Sequence, residues 1–387
     1  MTDNPYILYG DGIHDDTDAI QYMIDHFRDV TLPCPKVKYM ISRSLELPSY
    51  CRLQLPRFAE ICLMDNSSCV MLKNKTEDAY AQRTAAKLFH FFNQYAPNSP
   101  IQNIEIIGGI WNFNNLNQRP NPIITTYEQE GYSGFGMLFY NVKNLRMSSM
   151  TLKDPVNFSV TLDTVSYFNI DNITFDFNEG NPYQSNMDGI HVNGNCHHGH
   201  IEKLYGTCYD DTVALNAQEG SAGPISDITI CGIYTDNAYS AVRLLSASPE
   251  CSIKNVHISD IHGTFYHFCV AFMRHYDTGK QGVMENISID HIYGGKADRA
   301  LVKFPLVFKY RNFPFIDIQS ELFVKNLTIS DVHRCEYINP VPTVSIDENT
   351  TVENFIMRNV TSENHTEGKE LQNFVNNGTI INSDVPC

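Results

Sequence analysis

Along most of the chain, apolar residues alternate with polar ones in short runs that end at Asn, Asp or Gly. Alternate side chains of a strand face opposite sides, so such runs read as short strands closed by turns. One pattern recurs: a polar residue, often Asn or Asp, then apolar, any, apolar. It is seen at Asn103-Ile104, Asn144-Leu145, Asn169-Ile170, Asp227-Ile228, Asn255-Val256, Asn286-Ile287, Asn326-Leu327 and Asn354-Phe355. The spacings are mostly about 23–31 residues, with two near 40 and one of about two periods from Asn169 to Asp227, which is the period range of solenoids. Hairpin signals of the Asn-Gly type are confined to Asn193-Gly194 and Asn377-Gly378. A β-sandwich would show turn signals every 8–12 residues or so. The expectation is therefore an all-β fold, a right-handed parallel β-helix, forming one domain over residues 1–387. In such a solenoid each coil buries its apolar face on its neighbours.

Helical periodicity is nearly confined to residues 14–28. Asp15-Asp16-Thr17 offers N-cap side chains, and Ile20, Met23, Ile24 and Phe27 lie at helical spacing. A short amphipathic helix there would close the open apolar end of the first coil, as terminal repeats require. Residues 74–100 and 112–136 interrupt the repeat and read as loop insertions.

The charge narrows the partners. A formal net charge of −16 and a pI near 5.2 disfavour nucleic-acid backbones and anionic membranes. No run approaches the roughly 18 apolar residues of a membrane span. The 11 cysteines are scattered without C-x-x-C pairs, which suits free thiols better than a disulfide framework. The polar start lacks a signal-peptide pattern, so the expectation is a cytoplasmic protein, or a secreted one if a leader has been removed. The sequons, such as Asn286-Ile-Ser and Asn326-Leu-Thr, are equally well explained by the repeated strand pattern. Oligomeric state is not legible.

Candidate chemistry sits in the middle coils. Asp188 lies in Asn186-Met187-Asp188-Gly189-Ile190-His191, and Asp210 and Asp211 open Asp210-Asp211-Thr212-Val213. The segments are about one coil apart, and neighbouring parallel strands are roughly 4.8 Å apart. Asp188 should thus stand beside the Asp210–Asp211 pair. Glycosidic hydrolysis needs two carboxyl groups in opposite protonation states. Crowded carboxylates do not all ionise, so one pKa should rise and supply the acid. A lone Asp at a strand end is ordinarily a turn residue; three at coil spacing form a candidate catalytic group.

These residues resemble glycoside hydrolase family 28, the polygalacturonase-like enzymes of the pectate-lyase-like β-helix group. Gly10-Asp11-Gly12 with Asp15-Asp16-Thr17-Asp18 resembles that group's opening motif. Asn186-Met187-Asp188 is similar to the family's Asn-Thr-Asp, and Asp210-Asp211 to its Asp-Asp. The resemblance implies Asp210 as general acid, Asp188 and Asp211 as water-activating groups, and displacement with inversion. It also implies a carbohydrate substrate and no cofactor.

The chain departs from the family twice. Where the family has Gly-His-Gly, this sequence reads Asn237-Ala238-Tyr239-Ser240-Ala241-Val242-Arg243. Where it has Arg-Ile-Lys, this sequence reads Val270-Ala271-Phe272-Met273-Arg274-His275. Asn186, His191, Tyr239, Arg243, Arg274 and His275 are the candidate substrate-binding residues, the arginines because a guanidinium fork grips carboxylate. Without the family's basic groups, a neutral, branched or otherwise unusual sugar is as well suited as galacturonan. Tyr209, Phe265, Tyr266, Phe272 and Tyr276 fall near the same face, the phenylalanines leaning to the core. His197, His198 and His200 read as a solvated loop, since they lack a complete zinc ligand set. No metal site is expected. The alternatives are a polysaccharide lyase or uronate epimerase, which would need a Ca²⁺ site and a basic residue, and a non-catalytic carbohydrate-binding β-helix.

Overall fold

Strand pairing carries the architecture. In the computed structural model, which describes residues 6–76, 99–119, 134–178, 186–298 and 313–385, every paired strand runs parallel to a partner one coil away. One column of register partners runs Ile170, Ile201, Ile230, Ile258, Ile289, Ile329, Met357. Another runs Val160, Ile190, Val213, Val242, Val270, Ile316, Val344. Every one of these residues is buried. Stacking like on like makes one continuous apolar interior, the arrangement of a right-handed parallel β-helix.

The recurrent Asn has a backbone reason. Asn144, Asp227, Asn255, Asn286, Asn326, Asn354 and Asn382 all take positive φ, from 54° to 66°. Asn and Asp tolerate this left-handed region better than other side chains. At these corners the strand direction changes. The side chains then bond along the stack: Asn286 Nδ2 donates to Asn255 Oδ1 at 2.8 Å, Asn326 to Asn286 at 2.7 Å and Asn354 to Asn326 at 2.8 Å. The sequon asparagines Asn286 and Asn326 are thus rungs of a ladder.

One copy of the pattern was misplaced. Asn169 lies two residues beyond its corner, which is occupied by Tyr167 at φ 56°. The next corner, absent from the Asn pattern, is His198, also at φ 56°. Tyr167 and His198 stack 4.8 Å apart and replace the amide ladder with a ring contact. His197, His198 and His200 therefore belong to the strand His197–Thr207 and not to a loop. Gly199 beside them is demanded by packing: a Cβ there would sit 2.1 Å from the Phe168 ring.

The capping helix is Thr17–His26, shorter than residues 14–28. Ile20 and Ile24 are buried against the first coil, whereas Phe27 lies beyond the helix and is 39% exposed. Asp16 is the N-cap residue by position but makes no side-chain cap bond. Its carboxylate instead accepts from the Tyr9, Gly10 and Met40 backbone N–H groups, tying the N-terminal segment to the first coil. Asp15 accepts the Thr17 N–H at 2.9 Å in its place. Most of the two expected insertions, 77–98 and 120–133, lies outside the described residues. The described cysteines are free, as expected. No described helix is long and apolar enough to cross a membrane.

Candidate functional site

Register brings the three aspartates together. Ile190 pairs with Val213, so the segments before them, Asp188-Gly189 and Asp211-Thr212, also run side by side. Gly189 N donates to Asp211 O at 2.9 Å, and Asp211 N donates to Asp188 Oδ1 at 3.0 Å. One carboxylate oxygen from each of Asp188, Asp210 and Asp211 lies within 4.8 Å of the others. Asp210 keeps 4% exposure, Asp188 2% and Asp211 none, so Asp211 is sealed beneath its neighbours.

Arg243 neutralises this cluster. It follows Ala214 in the column His191, Ala214, Arg243, Ala271, Asp317, with an alanine on either side to leave lateral room. Its Nη2 lies 3.3 Å from Asp210 Oδ1 and its Nε 2.9 Å from Asp211 Oδ2. The second contact is an ion pair without hydrogen-bond alignment, and Asp211 Oδ2 has no hydrogen-bond donor. Asp211 Oδ1 accepts from the Ser240 hydroxyl, one coil on.

Burial raises both neighbouring carboxyls. Asp210 is held well above the usual carboxylate range, first by burial and then by the charge of Asp211, with Arg243 opposing. Asp211 is also raised, mainly by burial, against the pull of Arg243. Unpaired charge is expensive in such a place, so burial favours the protonated form of each carboxyl while Arg243 opposes it.

A second ionic chain abuts the first. His191 is buried, stacked on Phe158 at 3.7 Å, with Nδ1 2.7 Å from Asp188 Oδ2. Its Nε2 lies 3.0 Å from Glu219 Oε2 and 3.1 Å from Asn193 Oδ1. Burial alone disfavours an imidazolium, yet Asp188 and Glu219 outweigh it and push His191 up to about 9. Burial likewise works against Glu219, but His191, Tyr276 and Asn216 hold it down at about 2. The Tyr276 hydroxyl donates to Glu219 Oε1 at 2.5 Å.

The other expected residues divide. Tyr239 is buried near the cluster, its phenol held protonated by burial and by the charge of Asp210. Asn186 sits two residues before Asp188 at positive φ, 53°. Arg274 turns away: its guanidinium is bound by Asp277 at 2.6 Å and by Glu321. His275 is exposed beside it, and both line a concavity of about 450 Å³ with Tyr276, Asp277, Gln319 and Glu321. Tyr276 joins that concavity to the acid cluster through Glu219. Phe265 and Phe272 are core residues, as expected.

Glu219 and Ser240 were not singled out in the sequence, whereas Tyr276 was placed near this face. Ser240 was legible in principle, being the register partner of Asp211. Glu219 lies in the turn after the strand Asp211–Asn216 and carries no motif. The three aspartates alone would suit a hard cation, but Arg243 already places a positive charge on two of them.

No family model matches the chain, and no curated protein matches it. Solved structures do. The chain is similar to the tailspike protein of E. coli bacteriophage HK620 in complex with a pentasaccharide, with TM-score 0.65 and 13% identity, covering 97% of this chain. It spans 63% of the tailspike chain. A mutant of the HK620 tailspike in complex with a hexasaccharide gives TM-score 0.58 at 13% identity, over 97% of this chain and 62% of that one. PfbA, a surface adhesin of Streptococcus pneumoniae, gives TM-score 0.52 at 14% identity, over 98% of this chain and 91% of that one. At these identities the likeness is one of fold.

Proposed function

We propose that the chain is a glycoside hydrolase of the polygalacturonase-like kind, cleaving a glycosidic bond by acid–base catalysis between carboxyl groups. The observation that carries this reading is the buried cluster itself, in which carboxylate oxygens of Asp188, Asp210 and Asp211 lie within 4.8 Å of one another. Asp210, held well above the usual carboxylate range by burial and by Asp211, is the proton donor in this reading. Asp188, bound to His191 at 2.7 Å, is the partner that activates water. Asp211 has no exposure, so in this reading it sets the field around Asp210 together with Arg243 and does not touch substrate. The motif resemblance to family 28 and the oligosaccharides bound by the HK620 tailspike support a carbohydrate substrate.

Arg243 is spent on Asp210 and Asp211, and Arg274 on Asp277 and Glu321. Neither guanidinium is free to grip a uronate, which favours a neutral or branched oligosaccharide over plain galacturonan. The same cation disfavours a Ca²⁺-dependent lyase at this cluster. We keep inversion from the family resemblance, although oxygens within 4.8 Å stand closer than the roughly 6.5–9.5 Å usual for inverting pairs. The deep burial of the trio favours a second reading, a carbohydrate-binding β-helix without catalysis.

A screen of pectic and plant-cell-wall oligosaccharides, followed by NMR of new reducing ends and their first anomer, tests all of this. New reducing ends that persist in EDTA support hydrolysis. An unsaturated product lost in EDTA marks a lyase, and binding without cleavage marks the scaffold.

A further inference from the structure

A second group of donors lies far along the chain from the aspartates. Cys335 and Glu363 are register partners on the neighbouring strands Leu322–Glu336 and Thr351–Asn364. His365 follows Glu363 by two residues. One donor atom from each of Cys335, Glu363 and His365 lies within 4.8 Å of the other two. We infer that these three side chains form a surface site for a divalent ion of the zinc class, with one coordination position left open.

The donor chemistry decides the ion. A thiolate, an imidazole and a carboxylate form a mixed set that suits Zn²⁺ and related borderline metals better than Ca²⁺ or Mg²⁺. Three protein ligands leave a fourth position for water. The surroundings hold the donors in place. His333, two residues before Cys335, has Nδ1 3.0 Å from Thr361 Oγ1 and Nε2 3.8 Å from Glu363 Oε1. The first contact is a hydrogen bond that fixes the His333 ring, and the second is a longer ion-pair approach to the carboxylate. Tyr337 stacks flat on His365, 4.5 Å between ring centres at 10°, and so fixes the imidazole plane. His365 Nε2 already lies 3.6 Å from Glu363 Oε2.

Exposed Glu–His pairs by themselves contribute little to stability. A metal would turn this loose set into a clamp between two successive coils. Ligands contributed by both strands make binding and local stability one equilibrium.

The test is a titration of the full chain with Zn²⁺ against a competing chelator, repeated with Co²⁺ as a spectroscopic probe. The expected result is one ion per chain with a thiolate-to-cobalt charge-transfer band. Cys335→Ser should abolish that band, and either Cys335→Ser or His365→Gln should weaken binding at least about tenfold. Cys34→Ser, at an exposed cysteine elsewhere, should change neither. His365→Gln alters an exposed side chain and keeps the test readable if Cys335→Ser disturbs folding. Absence of stoichiometric binding, or binding that survives both substitutions, overturns the site and leaves an ordinary surface ion pair.

Discussion

Arg243 Nε lies 2.9 Å from the sealed Oδ2 of Asp211, one coil away. The sequence offers Arg243 as a substrate-binding residue. In the fold it becomes the counter-cation of a buried carboxyl pair, and not a free hand for substrate.

Arg243→Met should therefore destabilise the chain by about 3–5 kcal/mol at neutral pH, the usual result of breaking one side of a buried ion pair. The loss should shrink in acid. Without Arg243 the folded-state pKa values of Asp210 and Asp211 rise further, so folding binds protons more strongly. Stability then falls as pH rises above the unfolded carboxyl range. Urea unfolding of parent and variant from pH 4 to pH 8 checks this. A deficit that does not depend on pH would show that Arg243 acts by packing alone.

The His191–Glu219 pair sets its own pH window. His191, raised from 6.5 to about 9, contributes stability in full below 6.5 and loses it as pH climbs toward 9. Glu219, lowered from 4.5 to about 2, contributes in full above 4.5 and loses it as pH falls toward 2. The pair is at full strength between 4.5 and 6.5. Tm should decline from pH 6.5 to pH 9 in the parent, and Glu219→Gln should flatten that decline. An equal slope in both proteins would contradict the assignment.

The corner ladder makes a sharper claim about one residue. Asn326 donates to Asn286, accepts from Asn354 at 2.8 Å, and holds φ at 54°. Asn326→Ala removes both bonds and strains the backbone, and should lower stability by about 2–3 kcal/mol. Asn326→Gly loses the bonds but suits the backbone, so it should be milder by about 1 kcal/mol. If glycine proves as damaging as alanine, the left-handed corner is not what selects asparagine. Chemical denaturation of the three proteins decides it.

Much of the fold was legible because the backbone enforces it locally. A left-handed corner selects Asn, so Asn255, Asn286, Asn326 and Asn354 announce the coil period. The aspartate cluster was legible for the same reason: coil spacing converts sequence separation into lateral contact. Tyr167 and His198 hid two corners because stacked rings do there what amides do elsewhere. Arg274 was expected near the cluster, but Asp277 and Glu321 compete for it, and pairing of that kind leaves no periodic trace. Glu219 was missed because a turn residue's direction depends on how the turn folds back. The Cys335 group had a faint signature, His-x-Cys and Glu-x-His about one coil apart, legible only once the register is known.

The central claim is that Asp210 is the proton donor of a glycosidase. Asp210→Asn removes the acidic proton while keeping the shape, and burial already favours the uncharged form that the amide mimics. The decisive measurement is the cleavage rate of an oligosaccharide turned over by the parent, set beside the Tm of both proteins. The account predicts a rate lowered by at least about 100-fold with a nearly unchanged Tm. Full activity in Asp210→Asn would contradict it.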